Sequence, residues 1–74
     1  MSRLIRMDNT GHTTVAEWTA DEPEALEHAV RAFRRELEQG YYAVVSEGEG
    51  QAEHVRELPA DASLVILRRP IAGG

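Results

Sequence analysis

The sequence contains no cysteine and no lysine, and no apolar run longer than Tyr41-Tyr42-Ala43-Val44-Val45. Without cysteine there is no disulfide framework, no thiolate metal site and no cysteine nucleophile, which excludes most staple-dependent secreted scaffolds and makes an intracellular setting the default. No stretch approaches the ~20 apolar residues that cross a bilayer, and no basic N-terminal segment leads into an apolar one, so a cytoplasmic protein without a membrane partner is expected. Basic charge is also scarce. Eight arginines face 13 acidic residues, for a net charge of -5. A chain of that sign repels a phosphate backbone, and nucleic acid is not an expected partner.

At 74 residues the chain can build one core. A domain of this size buries only about 60% of the surface that its unfolded chain exposes, so every large apolar side chain matters to stability. Little room remains for an enclosed active site. The expectation is a protein that is not itself an enzyme and holds no cofactor of its own.

Residues 3–8 and 12–18 favour strands by composition, and Asp8-Asn9-Thr10-Gly11 between them is turn chemistry, so an N-terminal hairpin is predicted. In its second strand Thr14, Ala16 and Trp18 share a face, which Trp18 turns inward. For the first strand, either Leu4 with Arg6 or Ile5 with Met7 can face the core, because a one-residue slip exchanges them. Asp21 before Glu22-Pro23-Glu24 reads as a capping box with proline in the first turn. Leu26, Val30, Phe33 and Leu37, flanked by Ala29, then form one narrow helical stripe. Acids at Asp21, Glu22 and Glu24 and arginines at 31, 34 and 35 suit the helix dipole, and Gly40 supplies a left-handed stop.

Residues 41–45 form the next predicted strand, ended by the turn-prone Glu47-Gly48-Glu49-Gly50. Residues 51–57 predict a short edge strand or an irregular segment, closed by Pro59. Leu64-Val65-Ile66-Leu67, within residues 63–69, suits a central strand covered on both faces. The predicted class is therefore α+β, in the order β-β-α-β-(β)-β, with residues 1–69 as the domain. Residues 70–74 carry no packing pattern and are expected to form a projecting tail.

Other constellations are weak. His12, His28 and His54 lack ligand spacing, so no metal site is predicted. Glu53, His54 and Glu57 fit an exposed acidic loop better than an acid–base pair, and no catalytic residue is assigned. Gly48-Glu49-Gly50 lacks the lysine and the hydroxyl of a phosphate loop. Trp18, Tyr41 and Tyr42 are read as core or core edge.

The element order, Thr10-Gly11-His12-Thr13 at the hairpin, the helix from Asp21, and Ser63 to Arg69 leading into Pro70-Ile71-Ala72-Gly73-Gly74 together resemble the ubiquitin-like β-grasp family. The tail looks most like that of the small subunit of molybdopterin synthase, and Arg68 and Arg69 are similar to the basic approach to ubiquitin's tail. In both branches a partner enzyme that binds ATP adenylates the terminal glycine carboxylate. The resemblance therefore implies a protein modifier or sulfur carrier. Gly74 would be the reacting residue, Gly73 its slender neighbour, and Arg68, Arg69, Pro70, Ile71 and Ala72 the segment that docks to the enzyme. A modifier would further need a conjugating enzyme, a deconjugating protease and target proteins. Glycines suit such a tail, since no Cβ blocks entry to a narrow adenylation channel. The alternative is a non-conjugated interaction module of phage or accessory type, whose Gly-Gly is incidental.

The missing lysine limits any conjugation chemistry. Chain building needs an ε-amine on the unit already attached, and arginine is a poor substitute because its guanidinium stays protonated. Conjugates should therefore carry single units on each target lysine. Branch mapping of digested conjugates would test this: links to any internal residue of this protein would contradict it.

Overall fold

The computed structural model describes residues 1–8, 11–46 and 52–69. Its elements are β1 (Ser2–Asp8), β2 (Gly11–Trp18), α1 (Pro23–Glu38), β3 (Tyr42–Ser46), β4 (Ala52–Val55) and β5 (Leu64–Arg68). The expected α+β order is present, and the weakly patterned stretch after residue 51 contains a four-residue strand. The strands form one mixed sheet in the order β2-β1-β5-β3-β4. β1 and β5 pair in parallel, and every other pairing is antiparallel. Of the predicted turn Asp8-Asn9-Thr10-Gly11, the ends Asp8 and Gly11 pair with each other, while Asn9 and Thr10, the predicted turn at residues 47–50 and the segment 70–74 lie outside the described residues. Among the described residues no helix is long and apolar enough to cross a membrane.

The register of β1 is settled by its neighbours. Leu4 is fully buried and joins Val65, Leu67, Ala43 and Val45 beneath the helix, with Ala29 and Phe33 from α1 and with Trp18. Leu4 and Arg6 therefore face the helix, and Ile5 and Met7 face the opposite side.

Thr14 departs from the expected pattern. Leu4 pairs with Ala16 but Ile5 pairs with Thr14, so Val15 is an extra residue in β2. Such a bulge reverses the alternation, and Thr14 is exposed on the side away from Ala16 and Trp18. Trp18 does turn inward, and its indole Nε1–H donates to the Ala60 carbonyl at 3.0 Å. That bond ties the end of β2 to the segment entering β5. One step further on, the Arg3 amide donates to the Ser63 carbonyl at 3.0 Å.

The helix starts one residue later than a cap at Asp21 requires. Glu22 is the N-cap residue, with φ -123° and ψ 84°, and no side chain caps the helix. The reason is Pro23: a residue preceding proline is pushed out of the helical region, so Glu22 cannot be the first helical residue. Thr19 instead donates its hydroxyl to the Glu22 carboxylate at 3.0 Å. The other end matches expectation. Gly40 has φ +101°. Its amide donates to Leu37 at 3.0 Å and that of Tyr41 to Glu36 at 3.2 Å, the paired bonds of a glycine-terminated helix.

The predicted apolar stripe faces the core, with Phe33 and Ala29 inside it and Leu26 and Leu37 packed against it. Ala29, Phe33 and Glu36 are the buried helical positions, whereas Leu26, Val30 and Leu37 flank them half-buried. Phe33, 1% exposed, is the largest side chain that the helix places in the core. Phe33→Ala should therefore cost about 3–5 kcal/mol, a large fraction of a small domain's stability. Denaturant melts of this variant beside Arg34→Ala test the assignment, and equal midpoints would refute it.

Candidate functional site

The site is built outward from β5, the strand that leads to the glycine pair. Along it Val65 and Leu67 are fully buried toward the helix, while Leu64, Ile66 and Arg68 point to the other side. β5 is central, as expected, and among the described residues the helix covers one of its faces; on the other, Ile66 is half-buried and Leu64 and Arg68 are exposed. The continuous apolar run gives Val65 and Leu67 to the core and Leu64 and Ile66 to the opposite side of the sheet.

Pairing registers carry that face across the sheet. Thr14 lies beside Ile5, Ile5 beside Ile66, Ile66 beside Val44, and Val44 beside His54. Ile5 and Val44 are each 9% exposed, sheltered by their neighbours, whereas Met7 and Leu64 are exposed on the flanks. At one edge the Tyr42 and His54 rings stack with centroids 5.1 Å apart and planes 2° from parallel. Beside them is a shallow cleft of about 350 Å³ lined by Tyr42, Val44, Ala52, His54, Ile66 and Arg68.

The open face also differs in charge from the molecule as a whole. Among the described residues its strands carry Arg3 and Arg68 against one carboxylate, Glu17, which lies 3.4 Å from Arg3. Arg68 extends over Met7, its Nη2 donating to Sδ at 4.0 Å. In a chain of net charge -5, this side is apolar and mildly basic.

The two candidate arginines at the end of β5 have different surroundings. Arg68 pairs with Tyr42 in the sheet. Arg69, the next residue, places its guanidinium carbon 5.5 Å from the centre of the Tyr41 ring. Arg6 approaches the same ring at 5.8 Å and donates from Nη1 to the buried Glu36 carboxylate at 2.6 Å. Tyr41, Arg6 and Glu36 thus form a firm base where the last described residue sits. The remaining candidates, Pro70, Ile71, Ala72, Gly73 and Gly74, lie outside the described residues. His12 and His54 are on opposite edge strands and His28 is on α1, so the three share no site.

Sequence reading missed Glu36 and the open face. Arg6 was the available signal for Glu36, because a guanidinium on the face that Leu4 buries demands a carboxylate across from it. Adjacent Leu4 and Ile5, together with the Leu64–Leu67 run, carried the signal for a second apolar face. Comparisons with protein-family models, curated proteins and solved structures find no match.

Glu36→Ala should destabilise the protein by about 1–3 kcal/mol, because it strands the half-buried Arg6 guanidinium without its carboxylate. Replacing both partners, as Arg6→Met with Glu36→Leu, should recover most of that loss. Thermal melts of the single and double variants check this; an unchanged midpoint for Glu36→Ala would show that the pair contributes nothing.

Proposed function

We propose that the protein is a ubiquitin-like β-grasp modifier or sulfur carrier of the cytoplasm, a substrate for a partner adenylating enzyme, with Gly74 as the reacting residue. The observation that carries this reading is the central position of β5, parallel to β1, with the Gly73-Gly74 pair a few residues beyond its end. A strand held on both sides gives the segment after it a fixed origin. Arg68 and Arg69 at that origin suit an acidic groove on the enzyme.

The chemistry requires a free carboxylate on Gly74. A carboxylate oxygen attacks the α-phosphorus of ATP held by the partner, and pyrophosphate leaves. Sulfide delivered by a donor then attacks the acyl carbonyl and AMP leaves, giving a thiocarboxylate, or a partner enzyme's thiol displaces AMP and the resulting thioester gives up that thiol to a target amine. This chain contributes the carboxylate and an approach free of Cβ atoms.

A second reading, an interaction module that is never conjugated, is favoured by the exposed Met7 and Leu64 on the sheet face away from the helix, which serve binding without any tail chemistry. Removal of Gly73 and Gly74 separates the two. The shortened chain should melt like the full chain, since the described core closes with β5, and should lose ATP–pyrophosphate exchange with its adenylating enzyme. Undiminished exchange would remove the glycines from the mechanism.

A further inference from the structure

At the end of β5 two neighbouring arginines fall on opposite sides of the sheet. Val65 and Leu67 point to the helix and Ile66 and Arg68 away from it, so Arg69, one residue on, returns to the helix side. Two neighbouring tyrosines where the chain enters β3 divide in the same way. Tyr42 lies in register with Arg68 and stacks its ring on His54. Tyr41 packs against the core beneath the helix, and the Arg69 guanidinium lies over its ring at 5.5 Å.

The Tyr41 ring is held independently of Arg69. Gly40, at φ +101°, turns the chain out of α1, and the Tyr41 amide donates to the Glu36 carbonyl at 3.2 Å. The ring itself is half-buried against the core. Arg6 lies over the same ring at 5.8 Å while its Nη1 donates to the Glu36 carboxylate at 2.6 Å. Two guanidiniums at one ring would repel each other, but the Glu36 carboxylate, 6% exposed, offsets the charge of Arg6. Both cations are within the ~6 Å over which an aromatic face attracts them. Arg69 has no carboxylate partner among the described residues, so the ring is what holds its charge in place.

We propose that Tyr41 is a positioning residue: its ring seats Arg69 and so fixes the point and direction in which the chain leaves the sheet toward Gly73 and Gly74. Arg68, on the other side of the sheet, takes no part in the seat. A tyrosine that merely fills the edge of the core would leave Arg69 indifferent to the ring. The use of the seat in presenting Gly74 rests on the function proposed above, whereas the seat itself does not.

The test is NMR of the full chain labelled with nitrogen-15, with Tyr41→Leu, Tyr41→Phe and Arg68→Gln beside the unaltered protein. In the unaltered protein the Arg69 Nε–H proton should be shielded by the ring and resonate upfield of that of the exposed Arg34. The heteronuclear NOE of the Arg69 backbone amide should stay close to that of Leu67. Tyr41→Leu should abolish the upfield shift and lower the heteronuclear NOE at Arg69. Tyr41→Phe should keep both, because the ring face and not the hydroxyl makes the seat, and Arg68→Gln should keep both as well. Unchanged amide shifts in β1 and α1 would show that the leucine variant is folded; if it does not fold, the shielding in the unaltered protein and its retention in the phenylalanine variant still decide. The inference is overturned if the Arg69 and Arg34 Nε–H protons coincide in the unaltered protein, if Tyr41→Leu leaves Arg69 unchanged, or if the phenylalanine variant loses the shielding. None of these readouts involves Gly74, so failure of the seat and failure of the adenylation reading are seen separately.

Discussion

The fold depends on the parallel pairing of its first and last strands. β1 and β5 are adjacent in the middle of the sheet although nearly the whole chain separates them. Closing so long a loop costs entropy before any contact is made, and parallel strands cannot be joined by a tight turn. The offset is local and apolar: Leu4, Val65 and Leu67, all fully buried, meet Phe33 and Trp18 under the helix. Helix, hairpin and β3 are therefore not independent of that pair. Each supplies side chains that cover it.

The same pairing sets where the chain leaves the sheet. Because β1 and β3 hold β5 from both sides, Arg68 is fixed beside Tyr42, and Arg69 reaches Tyr41, the residue that leads into β3. Glu36 extends this support through Arg6, so that the end of α1, the end of β1 and the end of β5 meet at one corner. On the sheet's other side, which no helix covers among the described residues, Ile5, Ile66 and Val44 form an apolar row.

Much of this was readable in advance because local chemistry agreed with the final packing. The capped end at Gly40, the amphipathic helix and the hairpin each rest on residues whose preferences are satisfied within a few positions. The misreadings arose where a distant neighbour decides. Nothing within β2 announces that Val15 is unpaired; only its register against β1 reveals it. Asp21 looked like a cap because its type and spacing fit, yet the restriction that Pro23 places on Glu22 prevailed. Glu36, apparently one more acid on a charged helix, is buried because Arg6 comes from a strand 30 residues away. The candidate site divides the same way. Arg68 and Arg69 were visible as strand-end cations, whereas the stacked Tyr42 and His54 and the cleft that they line needed the β3–β4 pairing.

The proposed activation at the glycine carboxylate would leave a chemical trace on the protein itself. Intact and digested protein from the native host, analysed by mass spectrometry, reports that trace directly. The account predicts either a population heavier by the exchange of one carboxylate oxygen for sulfur at Gly74, or Gly-Gly remnants on lysines of other proteins. Only unmodified protein with a free carboxylate, and no such remnants under conditions in which the chain is abundant, would contradict it.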